Sequence, residues 1–169
     1  IQSEKKTAGV TVAKEALLGA EKYGILEIAL SLSRELEMHY ANIEPDQDQY
    51  NRFKEKVNIY QLATFQETTA QSTFSELAFC IKKQKECSHI PALIQELEAM
   101  AGTHQPYKFQ LFYFATKNLW HLYKHDHAGV IETCKAAIQY FQNSKTILPY
   151  TTQWNFYIYL IPTYLQHKD

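Results

Sequence analysis

Residues 13–37 read AKEALLGAEKYGILEIALSLSRELE, and the spacing of their apolar side chains decides the fold. Ala13, Ala16, Leu17 and Ala20 recur every three to four positions, which aligns them on one face of a helix over about 11–22. Tyr23-Gly24 interrupts the pattern, and glycine readily adopts the left-handed conformation that ends a helix. A second helix follows over about 25–40, burying Leu26, Ala29, Leu30, Leu36 and Tyr40 and turning Glu27, Ser31, Arg34 and Glu35 to water. Two amphipathic helices joined by a tight turn make a helical hairpin.

Outward from this hairpin the same periodicity continues to the end of the chain. Asp46 with Gln49 three residues later has the form of a capping box opening a third helix. Its stripe Tyr50, Phe53, Val57 and Tyr60 lapses at Thr64, Glu67 and Gln71 and resumes at Phe74, Ala78 and Ile81, so one long helix reaching Lys82 is expected, with β-branched Thr68-Thr69 as the weak point. Pro91 and Pro106 fit first-turn positions of a fourth helix (about 90–101, ending at Gly102) and a fifth (to about Lys124). Asp126 is placed to cap a sixth helix that buries Val130, Cys134, Ala137, Ile138 and Phe141, and a seventh spans about 150–166 with Pro162 expected to bend it. No alternating strand pattern appears. The expected fold is all-α: about seven helices in one domain spanning 1–169, stacked as helical hairpins around one long central helix.

Composition narrows the function classes. The chain has 169 residues, a formal net charge of −1, and only Arg34 and Arg52 as arginines, so it lacks the basic face that nucleic acid demands. No apolar run approaches the roughly 20 residues of a membrane-spanning helix. Cys80, Cys87 and Cys134 are odd in number and form no CxxC, the usage of reduced thiols in a cytoplasmic protein. The polar start at Ile1, without an initiator Met or signal peptide, points to a piece of a longer chain. Twelve Tyr, nine Phe and two Trp give an aromatic content suited to helix–helix and protein–protein contact.

Most of the residues suited to reactive chemistry have a plainer structural role. His121 and His125 stand i,i+4, with Asp126, His127 and Cys134 nearby, which is a spacing a zinc site could use. Histidines closing a helix against its terminal carbonyls explain the cluster more simply, and neither a metal nor another cofactor is expected. The glycines are isolated, no phosphate-binding loop or GxSxG elbow occurs, and Cys87 beside Lys82, Lys83 and Lys85 is the one cysteine placed for reactivity. The chain is therefore expected not to be an enzyme, a helical metalloenzyme being the remote alternative.

The turn residues carry a resemblance. Gly24, Leu26 and Ala29 in YGILEIAL correspond to His125, His127 and Val130 in KHDHAGVI, and from 24 to 125 is 101 positions, close to three periods of about 34 residues. This pattern resembles the tetratricopeptide repeat, with Ala137 and Phe114 at the family's later small and early aromatic positions. Lys117, Asn118 and His121 depart from it, standing where the family prefers Leu, a small residue and Tyr. Over nearly its full length the chain looks like an uncharacterised bacterial group of tetratricopeptide-like proteins. The resemblance implies a right-handed α-solenoid that binds a protein or peptide as a scaffold or adaptor, with a ligand-sensing regulatory domain of a larger signalling or transcription protein as the alternative. In such a stack the first helix of a hairpin lines the concave face, so Tyr113, Lys117, Asn118 and His121 are the expected peptide groove. The seventh helix is apolar on nearly all sides. Trp154, Tyr157, Ile158, Ile161 and Leu165 are expected to pack on the sixth helix, leaving Phe156, Tyr159, Leu160 and Tyr164 outward, with Phe156, Tyr159 and Tyr164 the candidate face for a homodimer.

Overall fold

A computed structural model describes residues 2–102, 106–143 and 151–166, with side chains described over 8–102, 106–143, 153 and 155–165. Among them the chain forms seven α-helices and no strand: α1 (Gln2–Lys22), α2 (Leu26–Asn42), α3 (Gln47–Lys82), α4 (Ile90–Met100), α5 (Tyr107–Tyr123), α6 (His127–Asn143) and α7 (Thr151–Gln166). The all-α expectation holds, and the predicted ends lie within a few residues of the observed ones except for α1, which begins earlier. Contacts group the chain into two compact units, residues 1–65 and 66–169.

The first unit has one core. Leu17 and Ala20 of α1 meet Ala29, Leu36 and Tyr40 of α2 and Phe53 of α3. Tyr40 stacks on Phe53 with ring centroids 5.8 Å apart. At its edge the Glu21 carboxylate accepts hydrogen bonds from Lys56 Nζ and Tyr60 OH. Burial pushes the Glu21 pKa up, but those two donors outweigh it and hold the carboxyl below its ordinary range.

In the second unit Leu77, Cys80, Cys87, Ile90 and Ile94 form one apolar cluster, and Ala70, Leu97 and Phe109 another. A third joins α6 to α5 and α7, and there all five predicted positions of α6, from Val130 to Phe141, are buried. The expected single stripe of α3 is corrected. Its buried positions are Phe53 and Val57 in the first unit, then Ala70, Thr73, Leu77 and Cys80 in the second. The resumption therefore runs one residue ahead of the Phe74–Ala78–Ile81 line, and the polar Thr64, Glu67 and Gln71 mark where the first set ends.

Caps and turns explain where the helices stop. Asp46 Oδ1 accepts from the Asp48 and Gln49 amides at 3.0 Å, so it is the N-cap of α3. The capping box is half made, because Gln49 Oε1 has no partner among the described residues and the Asp46 amide donates to Tyr40 O instead. Three helices end in one motif: α1 at Gly24 (φ 64°), α3 at Gln84 (φ 53°) and α5 at His125 (φ 55°). Each left-handed residue donates to the carbonyl three back, and the residue after it donates to the carbonyl five back, as in Ile25 N–H to Ala20 O and Asp126 N–H to His121 O, both 2.9 Å. The correspondence of Gly24 with His125 is thus a correspondence of backbone geometry.

A left-handed conformation costs a residue with a Cβ about 1 kcal/mol or more. His125→Gly is expected to stabilise the chain by roughly 0.5–1 kcal/mol and Gly24→Ala to destabilise it by about 1 kcal/mol, read from urea unfolding midpoints at unchanged slope.

Candidate functional site

Helix α5 concentrates the unusual residues, and from Tyr107 to Leu122 all but Lys108 are at least partly buried. Its aromatic residues are packing groups. Phe109 stacks on Tyr113, Phe112 meets Phe74 of α3, and Phe114 touches Tyr140 and Phe141 of α6 and Phe156 of α7 at centroid distances of 5.9–6.3 Å. A helix with neighbours on two sides requires apolar side chains on both.

The four expected groove residues go to three different places. Lys117 donates to Glu98 Oε1 of α4 at 2.7 Å, reaches Tyr113 OH at 3.4 Å, and lies over the Tyr113 ring. Burial lowers the Lys117 pKa, but the Glu98 hydrogen bond and charge outweigh it, so the ammonium is held above its ordinary range. Tyr113 and Lys117 therefore form a half-buried polar clasp between α4 and α5. Asn118 is only 2% exposed, and its Oδ1 accepts from the Cys134 thiol of α6 at 3.4 Å. Burial pushes Cys134 up to about 11, which keeps the thiol protonated and able to donate.

His121 closes the α5–α6 turn. Its Nδ1 lies 2.8 Å from Asp126 Oδ2, while Asp126 Oδ1 accepts from the Gly129 amide at 3.0 Å as the N-cap of α6. Gly129 is there because of this ring: a Cβ at 129 would overlap the His121 imidazole and crowd Asp126 Oδ2. The histidine cluster does not converge. His125 is turned out at the left-handed position, Cys134 faces Asn118, and among the described residues no three His, Cys, Asp or Glu are placed to hold a metal. Cys87 is buried with its thiol directed at Lys85 O, so proximity in sequence to three lysines does not expose it.

Helix α7 corrects the expected association face. Phe156 is 2% exposed, stacked on Phe141 and edge-on to Phe114. Of the stripe expected to pack inward, Ile158, Ile161 and Leu165 are outward instead, 60%, 54% and 71% exposed; Tyr157 packs inward as expected, and so does Leu160, contrary to its expected outward place. Aromatic partners on α5 and α6 decide this, because a helix apolar all round holds no internal preference and the rings seek rings. Tyr159 and Tyr164 remain exposed as expected, Tyr164 beneath Lys135 Nζ. The side chain of Trp154 lies outside the described residues. The helix runs through Pro162, with Thr163 Oγ1 donating to Tyr159 O at 2.7 Å.

Between α3, α5 and α7 lies a cavity of about 180 Å³. Helix α5 supplies Leu111, Ala115, Leu119 and Leu122 along with Asn118, and Phe74 closes one side. Asn155, Phe156 and Tyr159 of α7 complete it. Of these, the sequence signals Asn118, as a polar residue that a core cannot leave unpaired, and Phe156 and Tyr159, but the last two as an outward face and not as a cavity wall. No protein-family model matches the chain, and comparison with curated proteins and with solved structures finds no match.

Gly129→Ala is expected to destabilise the protein by about 1 kcal/mol or more although alanine favours helix, because the His121 ring must leave Asp126. In a His121→Ala background the same change should be neutral or stabilising, and a denaturation double-mutant cycle measures the difference.

The Gly129 amide first, then His121, hold Asp126 below its ordinary pKa of 3.8. A depressed folded-state pKa gives stability that is present above the unfolded value and lost as pH falls through the folded one. Asp126→Ala should therefore lower the Tm at pH 7, and the gap from wild type should narrow as the pH falls below the ordinary carboxylate range in thermal melts.

Proposed function

We propose that this chain is a non-enzymatic helical repeat module, stacked as a tetratricopeptide-like solenoid, that binds a protein or peptide segment in the cytoplasm. The observation that carries this reading is the outward stripe of α7. Ile158, Ile161 and Leu165 lie at i, i+3 and i+7, and each is more than half exposed. A solvated helix face ordinarily carries polar side chains, and grouped apolar surface of this kind is typical of contact sites. Tyr159 and Tyr164 flank the stripe and add aromatic area. No helix among the described residues is long and apolar enough to cross a membrane.

The occupant that fits most directly is the same face of a second copy. A stripe on one helix can meet itself about a two-fold axis, so each residue serves both sides of the contact. The Glu98–Lys117–Tyr113 clasp is a separate polar surface at which a peptide could exchange hydrogen bonds.

Light scattering across a concentration series tests this. Wild type is expected to rise from its monomer mass of 19.7 kDa toward twice that value. The Ile158→Glu, Leu165→Glu variant, altered only at exposed positions, should remain monomeric with unchanged helicity. A wild type that stays monomeric at the highest attainable concentration would overturn the self-association reading of this face.

A further inference from the structure

The cavity between α3, α5 and α7 combines three properties that together define a ligand. The first is volume. At about 180 Å³ it exceeds the roughly 150 Å³ at which a dry apolar cavity admits benzene, so a single ring with a short substituent fits. The second is electrical. No Lys, Arg, His, Asp or Glu lines it. A charged guest would therefore give up water without gaining a counter-charge, which disfavours it against a neutral one.

The third is a single buried amide. Asn118 stands on the cavity wall, yet it is 2% exposed and its surroundings are leucine and phenylalanine. Its Oδ1 is taken by the Cys134 thiol. The NH2 group of a side chain on the cavity wall is a donor pair that a carbonyl oxygen in the cavity can accept from. Asn155 and Tyr159 add polar groups from α7, and Phe74 and Phe156 supply aromatic faces for a ring.

We infer that this cavity is a binding site for a small uncharged aromatic compound carrying one carbonyl group, whose oxygen accepts a hydrogen bond from Asn118. This assigns the module a small-molecule ligand in addition to its protein contact, and Tyr159 is the one residue it shares with the outward face of α7.

Three probes of similar size isolate the three properties: acetophenone has the ring and the carbonyl, ethylbenzene lacks the acceptor, and benzoate carries a charge. Ligand-observed NMR and titration calorimetry on the wild-type chain should show acetophenone binding roughly tenfold tighter than ethylbenzene, the value of one hydrogen bond. Benzoate should not bind measurably. Asn118→Leu should abolish the preference for acetophenone, and Ala115→Leu should weaken both neutral probes by filling the space. If either variant loses its helical circular dichroism, the probe ranking on wild type decides alone. Equal affinity for acetophenone and ethylbenzene, benzoate binding as well as acetophenone, or no binding of any probe at millimolar concentration would each overturn the assignment.

Discussion

The second unit depends on α5 being covered on two sides at once. Phe109, Phe112, Phe114 and Leu119 cannot share one stripe of a 3.6-residue helix, so α5 is stable only when α3 and α4 meet one flank and α6 and α7 another. That requirement explains why Phe114 touches rings from both α6 and α7, and why α6 buries Val130, Cys134, Ala137, Ile138 and Phe141 on a single face. The same requirement leaves polar residues of α5 little room. Each must be satisfied where it stands, because a buried polar group without a partner costs on the order of 1–3 kcal/mol.

Lys117, Asn118 and His121 answer that demand in three ways. Lys117 extends its stem along the helix to a carboxylate at the surface, as long cationic side chains do. His121 lies in the last turn and reaches a carboxylate beyond the helix end, where Gly129 makes room for its ring. Asn118, only 2% exposed, takes the Cys134 thiol of α6 as a donor to its Oδ1. Read from the sequence, all three are simply polar positions on an aromatic helix. Only the neighbours separate a surface clasp, a turn lock and a buried amide.

Much of the helix order was legible because its signals are local. Gly24, Asp46, Asp126 and the prolines at the starts of α4 and α5 act within a few residues of themselves, and α6 has one apolar face with no competing choice. What was not legible depends on partners far along the chain. The buried line of α3 shifts by one residue in the second unit because Leu77 and Cys80 are selected by Ile90 and Ile94. In α7, Ile158, Ile161 and Leu165 make as good a stripe as Phe156 and Leu160, so periodicity alone could not choose between them. The left-handed residues show the same division. Gly24 declares its conformation, whereas Gln84 and His125 adopt it under the hydrogen bonds of the turn and carry no sign of it.

The inward choice of α7 has consequences on both of its faces. Drawing Phe156 onto Phe141 and Phe114 brings Asn155 and Tyr159 to the cavity rim, since they are its neighbours at i−1 and i+3. The same rotation turns Ile158, Ile161 and Leu165 outward. Cavity and stripe are therefore two results of one packing decision rather than separate features. Tyr159 belongs to both, exposed on the outside and lining the cavity within. Pro162, just past Tyr159, removes one backbone hydrogen bond from the helix that carries both features.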